Sequence, residues 1–92
     1  MEDNNEILLD VRSPAEFKEA HIPGSINIPL GELQERKDEV LKMNGKIVIV
    51  CASGARARSA HGFLEHIGVK NMQVMEGGIS EHYRQGKKLN FG

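Results

Sequence analysis

The chain has a single cysteine, and the residues around it are of types that can do chemistry. Cys51 follows four β-branched apolar residues, Ile47 to Val50, which are typical of a short strand buried on both faces. After it come Ala52-Ser53-Gly54-Ala55 and then Arg56. A strand, a small-residue loop and a helix in this order bring main-chain N–H groups together around one point. Such surroundings favour the thiolate, which is the reactive form of a cysteine.

The elements that must position this cysteine alternate between strands and helices. The segment after the loop carries apolar residues at helical spacing, from Ala57 to Ile67, and Gly68 ends it. The pattern predicts strands at Ile7–Leu9, Ser25–Ile28, Lys46–Val50 and Val69–Met75, with further helices over Ser13–Ala20, Glu32–Met43 and Ile79–Gln85. From Gly86 onward we expect a Lys-rich tail. Alternation of this kind indicates an α/β fold with a small, largely parallel sheet flanked by helices on both faces.

The first helix has the most complete start signal. Ser13 suits the N-cap, Pro14 suits the first helical position, and Glu16 lies where a capping box needs it. Pro23-Gly24 limits the length of this helix.

Several short motifs resemble the rhodanese (thiosulfate:cyanide sulfurtransferase) family. The loop from Cys51 to Arg56 is similar to the family's active-site loop, a cysteine, four residues and often an arginine. Further similar motifs follow the family's order: Asp10-Val11-Arg12, Glu16-Phe17, His21-Ile22-Pro23-Gly24-Ser25, Ile28-Pro29-Leu30 and Glu76-Gly77-Gly78. Together they extend from about Leu8 to Tyr83, so the resemblance implies a rhodanese-like fold for most of the chain.

The resemblance implies a sulfurtransferase of the thiosulfate type. Cys51 would take the outer sulfur of thiosulfate, or of a persulfide donor, and pass it from a Cys51 persulfide to cyanide or a thiol acceptor. Ala52, Ser53, Gly54, Ala55 and Arg56 would bind the donor, and the fork of Arg56 matches paired oxygens. No cofactor is implied.

Several polar residues outside the cysteine loop also have expected roles. By resemblance Asp10 helps to organise the site, and Arg12 pairs with Glu16 to hold the first helix. We expect His21 to make a structural hydrogen bond at its turn. Arg58 leaves its helix about 200° from Arg56, so we expect it on the solvated surface.

Three features depart from the family pattern. Ala52 stands where many members have an arginine, which predicts weaker thiosulfate binding. His82 stands where an aromatic residue is common. Members usually carry an extra strand and helix before the Asp-Val-Arg motif, and residues 1–6 are too few for both. We expect either a sheet that lacks one edge strand or an edge covered by the opening segment or by a partner.

Two other functions compete with sulfur transfer. The first is a protein-binding module, in which the fold is kept for contact and the cysteine acts as a persulfide carrier or redox sensor. The second is a phosphatase or arsenate reductase, related proteins whose loops have five residues between cysteine and arginine. Ala57 occupies that position here, so this reading lacks a residue that it needs.

Composition limits the remaining possibilities. The 92 residues suffice for one domain, 1–92, with an aliphatic core, because the chain has no Trp, one Tyr and three Phe. A net charge of −1 argues against a nucleic-acid partner. One cysteine forms no internal disulfide, and the polar N-terminus is unlike a signal peptide. The histidines lack a second metal ligand at the usual spacing. We therefore expect a cytoplasmic monomer with no metal and no membrane contact.

Overall fold

The fold is that of a computed structural model, which describes residues 6–91. Its elements alternate as the sequence predicts, and in chain order they are β1 (Glu6–Asp10), α1 (Pro14–Glu19), β2 (Ala20–His21), β3 (Ile26–Asn27), α2 (Lys37–Leu41), β4 (Lys46–Val50), α3 (Ala55–His66), β5 (Met72–Val74), α4 (Gly78–Arg84) and β6 (Asn90–Phe91). The predicted α/β fold, with a parallel sheet flanked by helices, is confirmed.

The main sheet has four parallel strands in the order β3-β1-β4-β5. The central pair, β1 and β4, runs in register with Asp10 opposite Val50. Because parallel strands end at the same edge of a sheet, the residue after Val50 emerges next to the end of β1. This register places Cys51 beside the Asp-Val-Arg motif.

The core lies between the sheet and the helices and is aliphatic, as the composition predicts. Leu9 and Ile49 from the central strands are fully buried, and Leu64 of α3 packs with them. Alanines at Ala57 and Ala60 give α3 a small-residue face in the same cluster. Close packing of α3 against the sheet fixes the direction in which the N-terminus of α3 faces.

The predicted helix over Glu32–Met43 is wrong in its first half. Leu30–Glu32 forms a short 3-10 helix, turns follow, and the α-helical part is only Lys37–Leu41. A 3-10 turn places residues three apart on one side. Leu30 and Leu33 both reach the core in this way, and Leu33 is fully buried.

Two other predicted boundaries need correction. The strand predicted over Val69–Met75 is shorter, because the N–H of Val69 is used to close α3 by donating to Leu64. The C-terminal segment is not only a tail, since β6 pairs antiparallel with β2. Neither residue pattern nor turn chemistry marks such a two-residue pairing in the sequence.

The strands β3 and β5 form the two edges of the main sheet in the described chain. Residues 1–5, one of the candidates for covering an edge, lie outside the described residues. Within residues 6–91 no helix has the length and apolar character needed to cross a membrane.

Candidate active site

Cys51 is the first residue after β4, and its side chain is almost completely buried, with 1% exposed. Its sulfur accepts a hydrogen bond from the main-chain N–H of Gly54 at a distance of 2.8 Å. The sulfur therefore meets a main-chain amide of the loop, while the residue also belongs to the buried core cluster. An N–H donor of this kind can also bind an anionic sulfur.

Gly54 makes this turn possible because its φ of +111° lies in the left-handed region, where a side chain is strained. Gly54 is also the N-cap of α3, a helix of twelve residues. The first N–H groups of a helix have no acceptor within it. Those of Ala55 and Arg56 belong to this first turn, and the helix dipole adds partial positive charge beside the sulfur.

The start of α4 holds the other side of the loop. The carbonyl oxygens of Cys51 and Ala52 accept from the N–H groups of Ile79 and Ser80, at 2.9 and 3.1 Å. In a trans peptide the C=O and the following N–H point in opposite directions. The N–H groups of Ala52 and Ser53 therefore face away from α4. These contacts fix the orientation of the loop that surrounds the sulfur.

The second of the paired glycines, Gly78, lies directly against the loop. A Cβ placed on Gly78 would lie 2.2 Å from the carbonyl oxygen of Cys51 and 2.7 Å from that of Ala52. No side chain fits there, and φ at Gly78 is +59°, which also favours glycine. Glycine at this position allows α4 to approach the loop closely.

Arg56 is the candidate donor-binding arginine, and its guanidinium lies against Glu16 of α1. Nη1 and Nη2 donate to the two carboxylate oxygens at 2.7 and 2.9 Å. The hydrogen bond from Arg56 lowers the pKa of Glu16 to about 2, with a smaller contribution from the N–H of Ser13. The same bond raises the pKa of Arg56. The role of Arg56 in binding a donor stays a prediction. A bound anion would compete with Glu16 for the guanidinium of Arg56.

Arg12 does not pair with the Glu16 carboxylate, so that expectation was wrong. Its guanidinium binds both oxygens of Asp10, and the Arg12 N–H also donates to Asp10. Arg12 reaches the first helix through the carbonyl oxygens of Glu16 and Ala20. Both members of the Asp10–Arg12 pair are buried, which makes this pair the structural link between β1 and α1.

The other predicted site residues lie as follows. Ala52 is half-buried in the loop, and the side chains of Ser53 and Ala55 are exposed. Nδ1 of His21 is hydrogen-bonded to the carbonyl oxygen of Phe17 at 2.8 Å, and the imidazole stacks on the Phe17 ring. These contacts confirm the structural role expected for His21. Across the described residues no cluster of histidine, cysteine and acidic side chains is arranged to hold a metal ion.

Sequence reasoning missed two residues of this site. Glu16 was recognised as a capping residue, and the capping box with Ser13 is present, but its second partner was not foreseen. Gly78 was matched to a motif without a physical reason. No local signal in the sequence pairs Glu16 with Arg56, because the two residues are forty positions apart.

Comparison with known proteins agrees with this geometry. A family model described as "Rhodanese-like domain" matches residues 1–85. A putative sulfur carrier protein of Bacillus subtilis is 43% identical over 65 residues, which are 71% of this chain and 35% of that protein. A tRNA uridine(34) hydroxylase of Buchnera aphidicola is 27% identical over 96 residues, covering 99% and 31% respectively. The chain thus spans about a third of the length of these curated relatives.

A solved structure extends the similarity to the fold. A rhodanese-related protein of Thermoplasma volcanium superposes with a TM-score of 0.84 at 37% identity, covering 95% of this chain and 85% of the other. The curated relatives that it matches include this sulfur carrier protein and several tRNA uridine(34) hydroxylases. From its sequence, its four-stranded parallel sheet and its cysteine loop, the chain belongs to the rhodanese-like domain family.

Proposed function

We propose that this domain transfers sulfane sulfur through a persulfide on Cys51, with thiosulfate or a low-molecular-weight persulfide as donor. The observation that carries the proposal is the 2.8 Å hydrogen bond from the N–H of Gly54 to the sulfur of Cys51. It directs the sulfur toward the loop, where an N–H donor can also bind a sulfur anion. The same amides suit a persulfide anion, because that anion is also a sulfur-centred negative charge.

The first half-reaction forms one sulfur–sulfur bond and breaks another. The thiolate of Cys51 attacks the outer sulfur of thiosulfate, the bond between the two sulfurs of thiosulfate breaks, and sulfite leaves with the electron pair. Charge is conserved, because a thiolate and a dianion become a persulfide anion and a dianion. In the second half-reaction a thiolate or cyanide takes the terminal sulfur and Cys51 returns as the thiolate.

The donor-binding residues that we propose are Ala52, Ser53, Gly54, Ala55 and Arg56, acting first through their main-chain N–H groups. Orientation of the loop by α4 and the position of the first-turn amides of α3 support this assignment. The side chains of Ala52, Ser53 and Ala55 are small, and Gly54 has none. The acceptor is proposed to be a thiol, on a small molecule or on a protein.

Steady-state kinetics test the proposal directly. Sulfite and thiocyanate are measured with thiosulfate and cyanide, and then with a small thiol in place of cyanide. A covalent intermediate predicts parallel double-reciprocal lines. We expect Cys51→Ser to abolish turnover with every donor. Turnover that survives Cys51→Ser would contradict the proposal.

The alternative is a binding module whose cysteine carries or senses sulfur without turnover. Among the described residues β5 is an edge strand of the main sheet, and an edge strand is where a partner strand can add. A stable protein complex that survives Cys51→Ala, together with no measurable turnover, would support this alternative. A single domain over 1–92, a monomer and a cytoplasmic location also remain predictions.

A further inference from the structure

We propose that Arg58, and not the guanidinium of Arg56, contacts the anionic end of the sulfur donor. The inference rests on the proposed function and deepens it, because it names the side chain that selects donors bearing an oxyanion. Thiosulfate and organic thiosulfonates are donors of that class.

The loop itself supplies no charged side chain beside the sulfur. The residues between Cys51 and Arg56 are alanine, serine, glycine and alanine, so none of them carries a charged side chain. The main-chain amides provide dipoles but no full positive charge. A dianion such as thiosulfate therefore needs a cation from a neighbouring element.

The two arginines at the start of α3 differ in how firmly their charges are engaged. Nη1 and Nη2 of Arg56 donate to the two carboxylate oxygens of Glu16 at 2.7 and 2.9 Å. The carboxylate therefore compensates the charge of Arg56 and occupies both of these nitrogens. Arg58 has only a loose ion pair with Glu76, with 3.7 Å between Nη1 and Oε1. The side chains of Arg58 and Glu76 are 60% and 80% exposed, and an exposed pair at that distance is weak. Arg58 can therefore exchange Glu76 for an incoming anion.

Arg58 is on the solvated surface, as predicted, and its guanidinium also lies against the loop. A Cβ placed on Gly54 would lie 3.1 Å from Nη1 of Arg58, so the guanidinium folds back over Gly54. The N–H of Gly54 is in turn 2.8 Å from the sulfur of Cys51. With ordinary bond lengths, Nη1 of Arg58 is within about 9 Å of the sulfur.

A donor in position to react spans a gap of this size. Reacting atoms approach to about 3.5 Å in a near-attack geometry, and a charge-assisted hydrogen bond from nitrogen to oxygen takes about 2.8 Å. The length of the thiosulfate ion accounts for the rest of the distance between the sulfur of Cys51 and Nη1 of Arg58. The outer sulfur can meet Cys51 while a sulfonate oxygen accepts a hydrogen bond from Arg58.

The test compares Arg58→Ala with Arg84→Ala. Arg84 also lies on a helix and pairs with an exposed acid, Glu81, so its replacement removes the same charge away from the loop. Alanine is the best helix former, so both variants are expected to fold. Arg58→Gln, which keeps most of the side chain's length, serves as a second variant, and thermal unfolding checks the fold of all three.

The deciding measurement is the rate of Cys51 alkylation by iodoacetate, an anion, relative to iodoacetamide, which is neutral. We expect Arg58→Ala and Arg58→Gln to lower the iodoacetate to iodoacetamide rate ratio about fivefold, as removal of one nearby cation predicts. Arg84→Ala should leave the ratio unchanged. With thiosulfate, Arg58→Ala should raise KM about tenfold with little change in kcat, because the lost contact is to a part of the donor that does not react.

The outcomes separate this inference from the proposed function. A ratio that Arg58→Ala does not change overturns the inference, whatever the kinetics show. Failure of both reagents to modify Cys51 also overturns it, because small anions then have no access to the site. A ratio that falls in a protein without any sulfur transfer supports the contact by Arg58 and overturns the proposed function instead.

Discussion

The main-chain N–H of Gly54 donates to the sulfur of Cys51 across 2.8 Å, and this contact joins the end of β4 to the start of α3. Cys51 is also packed in the core cluster, so this donor sits at the boundary between the core and the loop. The bond depends on the left-handed conformation of Gly54 and on the hydrogen bonds from α4 to the loop carbonyls. The orientation of the Cys51 sulfur is therefore a property of three elements and not of the residue alone.

The support from α4 can be tested at Gly78. We expect Gly78→Ala to lower the free energy of unfolding by about 2–4 kcal/mol, since a left-handed conformation strains alanine and the new Cβ collides with the carbonyl of Cys51. Sulfur transfer should fall at least tenfold, because a shifted loop no longer directs its main-chain N–H groups at the sulfur of Cys51. Urea unfolding and thiocyanate production measure the two effects.

Gly86→Ala is the matched control for this variant. Gly86 also has a positive φ, +76°, but nothing lies within 4 Å of its missing Cβ. It should lose only the conformational part, about 1 kcal/mol, and keep its activity. Equal losses of stability and rate in the two variants would mean that close approach of α4 to the loop is unimportant.

The Glu16–Arg56 ion pair predicts a dependence of stability on pH. Folding lowers the pKa of Glu16 to about 2 from its usual value of 4.5, because Arg56 and Ser13 donate to the carboxylate. The pair therefore stabilises the fold fully above pH 4.5, and this stabilisation is lost as the pH falls toward 2. Glu16→Gln keeps an oxygen for the N–H of Ser13 and removes only the charge. Because the pair is more than a third exposed, we expect a loss of about 0.5 kcal/mol at pH 7.

Urea unfolding of both proteins between pH 7 and pH 2 provides the measurement. The difference in unfolding free energy should be constant down to about pH 5 and should shrink below it. A difference that grows on acidification has the wrong sign for a carboxyl group with a lowered pKa, and would rule out this pair as the cause.

The Asp10–Arg12 pair should matter more for stability than for chemistry. Asp10 is fully buried and holds Arg12 through three side-chain contacts between 2.9 and 3.2 Å. Asp10→Asn leaves the buried guanidinium without its charge partner, at a cost of about 3–5 kcal/mol. Chemical unfolding measures the loss.

Glu81→Gln is the control for Asp10→Asn, because it removes an acid from an exposed pair with Arg84. Its unfolding free energy should stay within about 1 kcal/mol of that of the unchanged protein. Similar effects of the two substitutions would show that burial of the Asp10–Arg12 pair contributes nothing.

The parts of the fold with strong local signals could be predicted from the sequence. The strand Lys46–Val50 has the predicted boundaries, because an unbroken β-branched run ended by Cys51 has few other conformations. The first helix starts as predicted, since Ser13 and Glu16 form the capping box with both of its bonds. The order of strands and helices followed from the same signals.

Contacts between distant residues could not be predicted in the same way. Arg56 and Glu16 are forty positions apart, and only the fold decides that Glu16 meets Arg56 and not Arg12. The pairing of β6 with β2 and the approach of Gly78 to Cys51 likewise depend on tertiary geometry. Arg58 is exposed, as predicted, but the sequence did not show that its guanidinium lies beside Gly54.

Intact-mass measurement after brief exposure to thiosulfate, or to a small persulfide, tests the central claim most directly. We expect a gain of about 32 Da that maps to Cys51, disappears when cyanide or a small thiol is added, and is absent in Cys51→Ser. The contrary result is a protein whose mass does not change at any donor concentration, or one whose added sulfur no acceptor can remove.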